Sequence, residues 1–408
     1  MAEQTLAPTR LETGQFFPFS EQMSLEDLLR VAREWIEDLT FQHHLEWREK
    51  HKTPIVGTFP VYVPKELISA FNMLPVALQG GGEFLEISHA EAYLGSFICS
   101  IPKSTLELAL AHNVKGFDGF ISPYICDVAR NLAGVFERNF PQMTSHMLHY
   151  PQNINSRGAV PYLIAEYNRL IAKFEKITGN KFDPESLRTQ IKVSNRCQKA
   201  LKELLTYRNS YPGRMTIDEL YLILRLGSLL PHQDYLNVLN HTLSEIKQKE
   251  KERRDFVPII VMGPFCEQPT LEIVKLIEDV GFFVVDFDFQ IGQRFITEPI
   301  SEELDPLEAL ATAYVKHASM LPTRHNPQGR AHEILTRLKE SSPTPQAVIF
   351  LTTKFCEPAL EDFVLYKEAL EKERNQIPYL HVEYEERSSN FEDVRLQFET
   401  LFESILFD

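Results

Sequence analysis

The sequence contains no apolar run approaching the roughly 20 residues that cross a bilayer, and Met1 to Gln22 lacks the apolar core of a secretory signal. Positive charge is scarce. The 42 Lys and Arg face 57 Asp and Glu, a net charge of −15, which excludes general affinity for nucleic acid or anionic membranes. The deficit is steepest at the end, where residues 357–408 hold 14 acids against 5 bases. With five cysteines in 408 residues the chain is no disulfide scaffold, and an odd number leaves at least one unpaired. There is no C-x-x-C pair and no G-x-x-x-x-G-K-[ST] loop, so nucleotide phosphates find no such cradle here. Gly80-Gly81-Gly82 is followed by no Lys-Ser/Thr pair and reads as a turn. The expected setting is a reducing cytoplasm, where thiols stay available for metals or catalysis.

At 43% hydrophobic and 24% charged residues the chain can bury several cores, and its length suits two to three domains of roughly 150 residues each. Two stretches alternate short apolar runs with helical patterns. The first has runs at Pro54–Pro60, Leu74–Leu78 and Phe117–Ser122, with helices expected over Lys65–Asn72, Pro102–His112 and Asp127–Phe136. The second has runs at Val257–Met262, Phe282–Phe287, Ala347–Leu351 and Tyr379–Val382, with helices over Leu271–Val280, Ala359–Glu373 and Phe391–Leu406. Buried strands alternating with helices predict an α/β protein: two Rossmann-like lobes with parallel sheets flanked by helices, plus a helical connecting region. The expected division is an N-terminal helical segment over 1–46, a first lobe over 47–155, the helical region over 156–255 and a second lobe over 256–408. The lobes read as a pseudo-duplication in architecture. The charge run Lys247–Arg254 reads as a solvated helix face.

Loops at the carboxyl ends of parallel strands are where ligands bind, and four of the five cysteines fall there. Cys126 and Cys356 each follow a strand and open a helix, Cys99 precedes a helix start signalled by Pro102, and Cys266 follows the opening strand of the second lobe. Only Cys197 lies inside a helical pattern. A helix N-terminus favours a thiolate, the form that binds metal. Thiols converging from two sheets suit an iron–sulfur cluster or zinc, although each cysteine alone reads as a small core residue.

Several segments resemble the C subunits of ATP-dependent benzoyl-CoA reductases, in the superfamily that also holds the 2-hydroxyacyl-CoA dehydratase subunits. They are Pro60-Val-Tyr-Val-Pro-Lys-Glu-Leu-Ile68, Tyr93 to Ser104, Ser122 to Leu132, Gly263-Pro-Phe-Cys-Glu-Gln-Pro269 and Phe355-Cys-Glu-Pro-Ala-Leu360. The resemblance implies a [4Fe–4S] cluster held by Cys99, Cys126 and Cys356, with Cys266 beside it and Cys197 structural. It implies partners too: a homologous catalytic sister subunit, an iron–sulfur ATPase activator, ferredoxin indirectly, and an aromatic acyl-CoA substrate. The implied reaction dearomatises that substrate to a cyclic dienoyl-CoA by low-potential one-electron transfers. His89 is the candidate proton donor; Asp127 and Glu357 read as acids in the first turns of helices. Dehydratase subunits commonly carry a Thr-Arg pair near the end, where this chain has Leu396 and Gln397. A 2-hydroxyacyl-CoA dehydratase subunit is the first alternative, and a non-redox protein binding zinc or another ligand between two lobes is the second.

Overall fold

In the computed structural model, residues 16–80, 84–111, 114–250, 255–263, 266–289, 298–318, 327–373, 377–385 and 391–407 are described. Gly81 and Gly82 of the expected turn, Pro264 and Phe265, and residues 251–254 of the charge run lie outside them. The first sheet holds β1 (Ile55–Thr58), β2 (Leu74–Ala77), β3 (Gly119–Pro123) and β4 (Thr144–Leu148) in the order β2-β1-β3-β4, all parallel. The second holds β5 (Val257–Met262), β6 (Phe282–Phe287), β7 (Ala347–Thr353) and β8 (Tyr379–Tyr384) in the order β6-β5-β7-β8, again parallel. The α/β expectation holds, and the two sheets share one topology. Strands β1, β2, β3, β5 and β7 are buried at every position, as a sheet covered on both faces requires.

The first part of the chain contributes α1 (Leu25–Glu37), α2 (Gln42–His51), α3 (Lys65–Ala70), α4 (Ser100–Leu110) and α5 (Asp127–Asn139). The connecting region is all helical: α6 (Ala159–Thr178), α7 (Pro184–Ser210), α8 (Ile217–Leu226) and α9 (His232–Gln248). Helix α1 packs on α8 and α9. The second half of the chain contributes α10 (Leu271–Asp279), α11 (Pro306–Lys316), α12 (Pro327–Glu340), α13 (Glu357–Lys372) and α14 (Glu392–Phe407). Helix α7 packs on α3 of the first lobe and on α11 of the second, and α11 also packs on α6. One apolar core consequently runs through both lobes and the helices between them.

Three elements were not expected. Strand β4 lies at the sheet edge with Thr144 partly exposed and Met147 exposed, so it lacks the continuous apolar run of a central strand. Helices α11 and α12 fall between β6 and β7. The first of them is announced by Asp305, which caps it through the N–H groups of Leu307 and Glu308, with Pro306 next. Helix α4 starts two residues before Pro102, at Ser100.

Candidate functional site

Three cysteines occupy the same structural position. Cys99, Cys126 and Cys356 are the N-cap residues of α4, α5 and α13. The Cys126 sulfur accepts the Ala129 N–H at 3.4 Å, a thiol taking the place of the usual Ser or Asp cap. Before Cys356, Phe355 adopts φ +64°, a left-handed turn that is rare for a bulky side chain. It follows the end of β7 and brings the Cys356 N–H onto the Thr353 carbonyl at 3.0 Å.

The four loop cysteines converge. Cys99 feels the charges of Cys356 and Cys126, and Cys266 feels those of Cys356, Cys99 and Cys126. Two come from the first lobe and two from the second, so the site lies between the carboxyl ends of the two sheets. Cys99, Cys266 and Cys356 are buried and Cys126 is half-buried; none of them is in a disulfide. Among the described residues no three His, Cys, Asp or Glu side chains gather as one metal ion would require.

Glu267, which sequence reasoning passed over, joins the two halves of this site. It is 1% exposed. Its carboxylate accepts the Ser100 hydroxyl at 2.8 Å and the Ile101 N–H at 2.9 Å, while its carbonyl accepts the Tyr384 hydroxyl at 2.9 Å. A side chain of the second lobe thus caps α4 of the first, filling donors that Cys99 as N-cap leaves open. The adjacency to Cys266 in sequence was the available signal. The partner helix, distant in the chain, was not.

The expected lowering of the thiol pKa values is reversed. Burial pushes Cys99 and Cys266 well above the usual thiol range, and the neighbouring thiols and Glu267 push them the same way. Cys126 is also raised by burial, although the Ala129 and Val128 N–H groups oppose it. Desolvation and mutual repulsion outweigh the helix termini. Such a group of thiols deprotonates together only when positive charge enters among them.

His89 belongs to a different cluster. Its side chain is 67% exposed, and its Nδ1 lies 2.7 Å from the buried Glu107 carboxylate. Glu107 also accepts the N–H groups of Ser88, His89 and Ala90 at 3.2, 2.8 and 2.8 Å. Burial alone would raise the Glu107 carboxyl, but these bonds, led by His89, hold it below the usual range. Asp127 and Glu357 sit in the first turns of α5 and α13. Asp127 pairs with Arg130 at 3.4 Å. Cys197 lies within α7, gives its S–H to the His232 carbonyl at 3.1 Å, and is pushed up to about 12 by burial.

The model of the family described as "2-hydroxyglutaryl-CoA dehydratase, D-component" matches residues 60–405. The chain belongs to that family. Within the 2-hydroxyglutaryl-CoA dehydratase D-component family it is 32% identical to the C subunit of the benzoyl-CoA reductase of Thauera aromatica, over 94% of this chain and 99% of the relative. It is 24% identical to the "(R)-phenyllactyl-CoA dehydratase beta subunit" of Clostridium sporogenes, over 86% of this chain and 91% of the relative. The identity is again 24% with the beta subunit of the (R)-2-hydroxyglutaryl-CoA dehydratase of Acidaminococcus fermentans, over 86% and 92%. These D-component relatives are enzyme subunits, and the present chain is a subunit of the same enzyme type. Among the described residues no helix is long and apolar enough to cross a membrane.

Proposed function

We propose that this chain is an iron–sulfur subunit of an ATP-dependent benzoyl-CoA reductase, a cytoplasmic complex that dearomatises an aromatic acyl-CoA. The convergence of Cys99, Cys126 and Cys356 from two lobes carries the reading. Their chemistry fits a [4Fe–4S] cluster, in which thiolates bind separate irons. The zinc alternative asks for three or four ligands around one ion, and among the described residues no such group of three is found. The cluster would supply low-potential single electrons. Three thiolates leave the fourth position without a protein sulfur. Cys266, buried beside them, shapes their surroundings.

The chain's own residues do the positioning. Glu267 holds the start of α4, and with it Cys99, against the second lobe. Burial of three of the thiols keeps bulk water from the site. His89, oriented by Glu107 and open to solvent, is the proposed carrier of protons toward the site. The sister subunit, the iron–sulfur ATPase and ferredoxin are the proposed partners, since hydrolysis must be coupled elsewhere.

A dehydratase role is the second reading, supported by the names of the relatives at 24% identity. The complex, purified anaerobically with its neighbouring subunits and supplied with ATP and reductant, separates the two. Loss of benzoyl-CoA absorbance with no dehydration of a 2-hydroxyacyl-CoA supports the reductase. The opposite pattern overturns it.

A further inference from the structure

A cavity opens at the carboxyl ends of β1 and β2, on the side covered by α7, α8 and α9, with Tyr314 of α11 contributing to its lining. None of the four clustered cysteines lines it, nor does Glu267. Its volume is about 130 Å³, close to the roughly 150 Å³ of an apolar cavity that accepts one benzene ring. Pro60, Val63, Leu201 and Leu224 supply apolar wall.

Much of the remaining lining is polar, and part of it is unpaired. Glu66, 5% exposed, accepts the Ser194 hydroxyl at 2.6 Å through Oε1, while its Oε2 has no hydrogen-bond partner. The Nδ1 of His232 and the hydroxyl of Tyr235, both buried, also have none. Buried polar atoms are nearly always paired, and three unpaired ones lining one cavity call for a molecule that brings hydrogen-bonding groups.

The charges narrow its class. Lys65 gives its ammonium to the Gly227 carbonyl at 2.8 Å and stands beside Glu66. Burial holds Lys65 down to about 8 and His232 down to about 4. The lining therefore sets the Lys65 ammonium against the adjacent Glu66 side chain and beside an uncharged imidazole. A phosphate or a carboxylate would meet no unopposed cation. A neutral molecule meets no such penalty.

We propose that this cavity binds one small neutral ring bearing a hydroxyl group, of the phenol class, with the ring on the apolar wall and the hydroxyl donating to Glu66 Oε2. The Tyr235 hydroxyl and His232 Nδ1 then complete the polar end. The inference goes beyond the cysteine site and holds whether or not that site carries a cluster.

The test uses the full chain at pH 7 and two fluorinated probes, 4-fluorophenol and fluorobenzene, followed by fluorine NMR. The expected result is saturable binding of 4-fluorophenol at one site, at least tenfold tighter than fluorobenzene. Leu201→Trp, which fills the cavity, should abolish it in protein that still unfolds cooperatively, and the near-isosteric Tyr235→Phe should weaken it at least threefold. No saturable binding, as for a cavity that holds water alone, overturns the proposal. So does equal binding of the two probes, or affinity unchanged in a folded Leu201→Trp. Should Leu201→Trp fail to fold, Tyr235→Phe decides, and unchanged affinity there overturns it.

Discussion

The carboxylate of Glu267 accepts the backbone N–H of Ile101 at 2.9 Å, joining the loop after β5 to the first turn of α4 across 166 residues of chain. The same carboxylate takes the Ser100 hydroxyl, and Cys99 is the residue before them. Capping and lobe closure are therefore one contact. Glu267→Ala should cost about 1–3 kcal/mol, the range for a lost cap and for bonds to a charged group. Glu267→Gln, which keeps an acceptor, should lose less. Urea unfolding of the anaerobic protein measures both, and an unchanged midpoint in Glu267→Ala would remove the contact from the account of lobe closure.

Gly263 directly follows β5 with φ +107°, and a Cβ there would lie 2.5 Å from the Leu351 carbonyl oxygen of the neighbouring β7. Neither the backbone angle nor the neighbouring strand tolerates a side chain. Gly263→Ala should destabilise the protein by about 1–3 kcal/mol and displace the loop that carries Cys266 and Glu267. A urea midpoint equal to that of the parent protein would show that β5 and β7 separate more freely than their pairing implies.

His44 is buried, and its Nε2 lies 2.9 Å from the Leu229 carbonyl. Burial holds its pKa down to about 4, from an ordinary value of 6.5. Below pH 6.5 the unfolded chain takes up a proton that the folded one refuses. Its contribution is fully present above that pH and is lost as pH falls toward 4, by an amount on the order of 2–3 kcal/mol. Stability followed by urea unfolding across this window should fall with acid, and His44→Gln should flatten the slope. An equal slope in both proteins would place the proton uptake elsewhere.

Glu107 and His89 should separate cleanly. Glu107→Ala removes the acceptor of three backbone N–H groups and should cost about 2–3 kcal/mol. His89→Ala touches a mostly exposed ring and should cost under about 1 kcal/mol. If His89 carries protons, its substitution lowers turnover and alters the pH profile while the urea midpoint stays in place. Turnover and pH profile both unchanged would end its role.

Much of the fold was legible because most strands are nearly wholly buried. Val257–Met262, central in its sheet, read as a strand from apolarity, and Phe282–Phe287 from its β-branched and aromatic residues; β5 and β6 keep those bounds. The edge strand β4, with Thr144 partly exposed and Met147 exposed, carries no such run. Cysteine placement at strand ends was legible for the same reason, since strand and helix limits fix where the loops lie. Glu267 was not, because its partners Ser100 and Ile101 are set by the meeting of two lobes. The direction of the thiol pKa shifts also escaped. A helix terminus is visible in sequence, whereas burial and the other three thiols appear only in the folded chain.

The most direct measurement is iron and acid-labile sulfide, with EPR, on anaerobically purified protein carrying Cys99→Ser, Cys126→Ser, Cys356→Ser or Cys197→Ser. About four irons and four sulfides per chain are expected in the parent, the composition of a cubane cluster. Each of the first three substitutions should lower them sharply, and Cys197→Ser should not. Iron-free parent protein, or a cluster lost only in Cys197→Ser, would contradict the assignment of the three helix-capping cysteines.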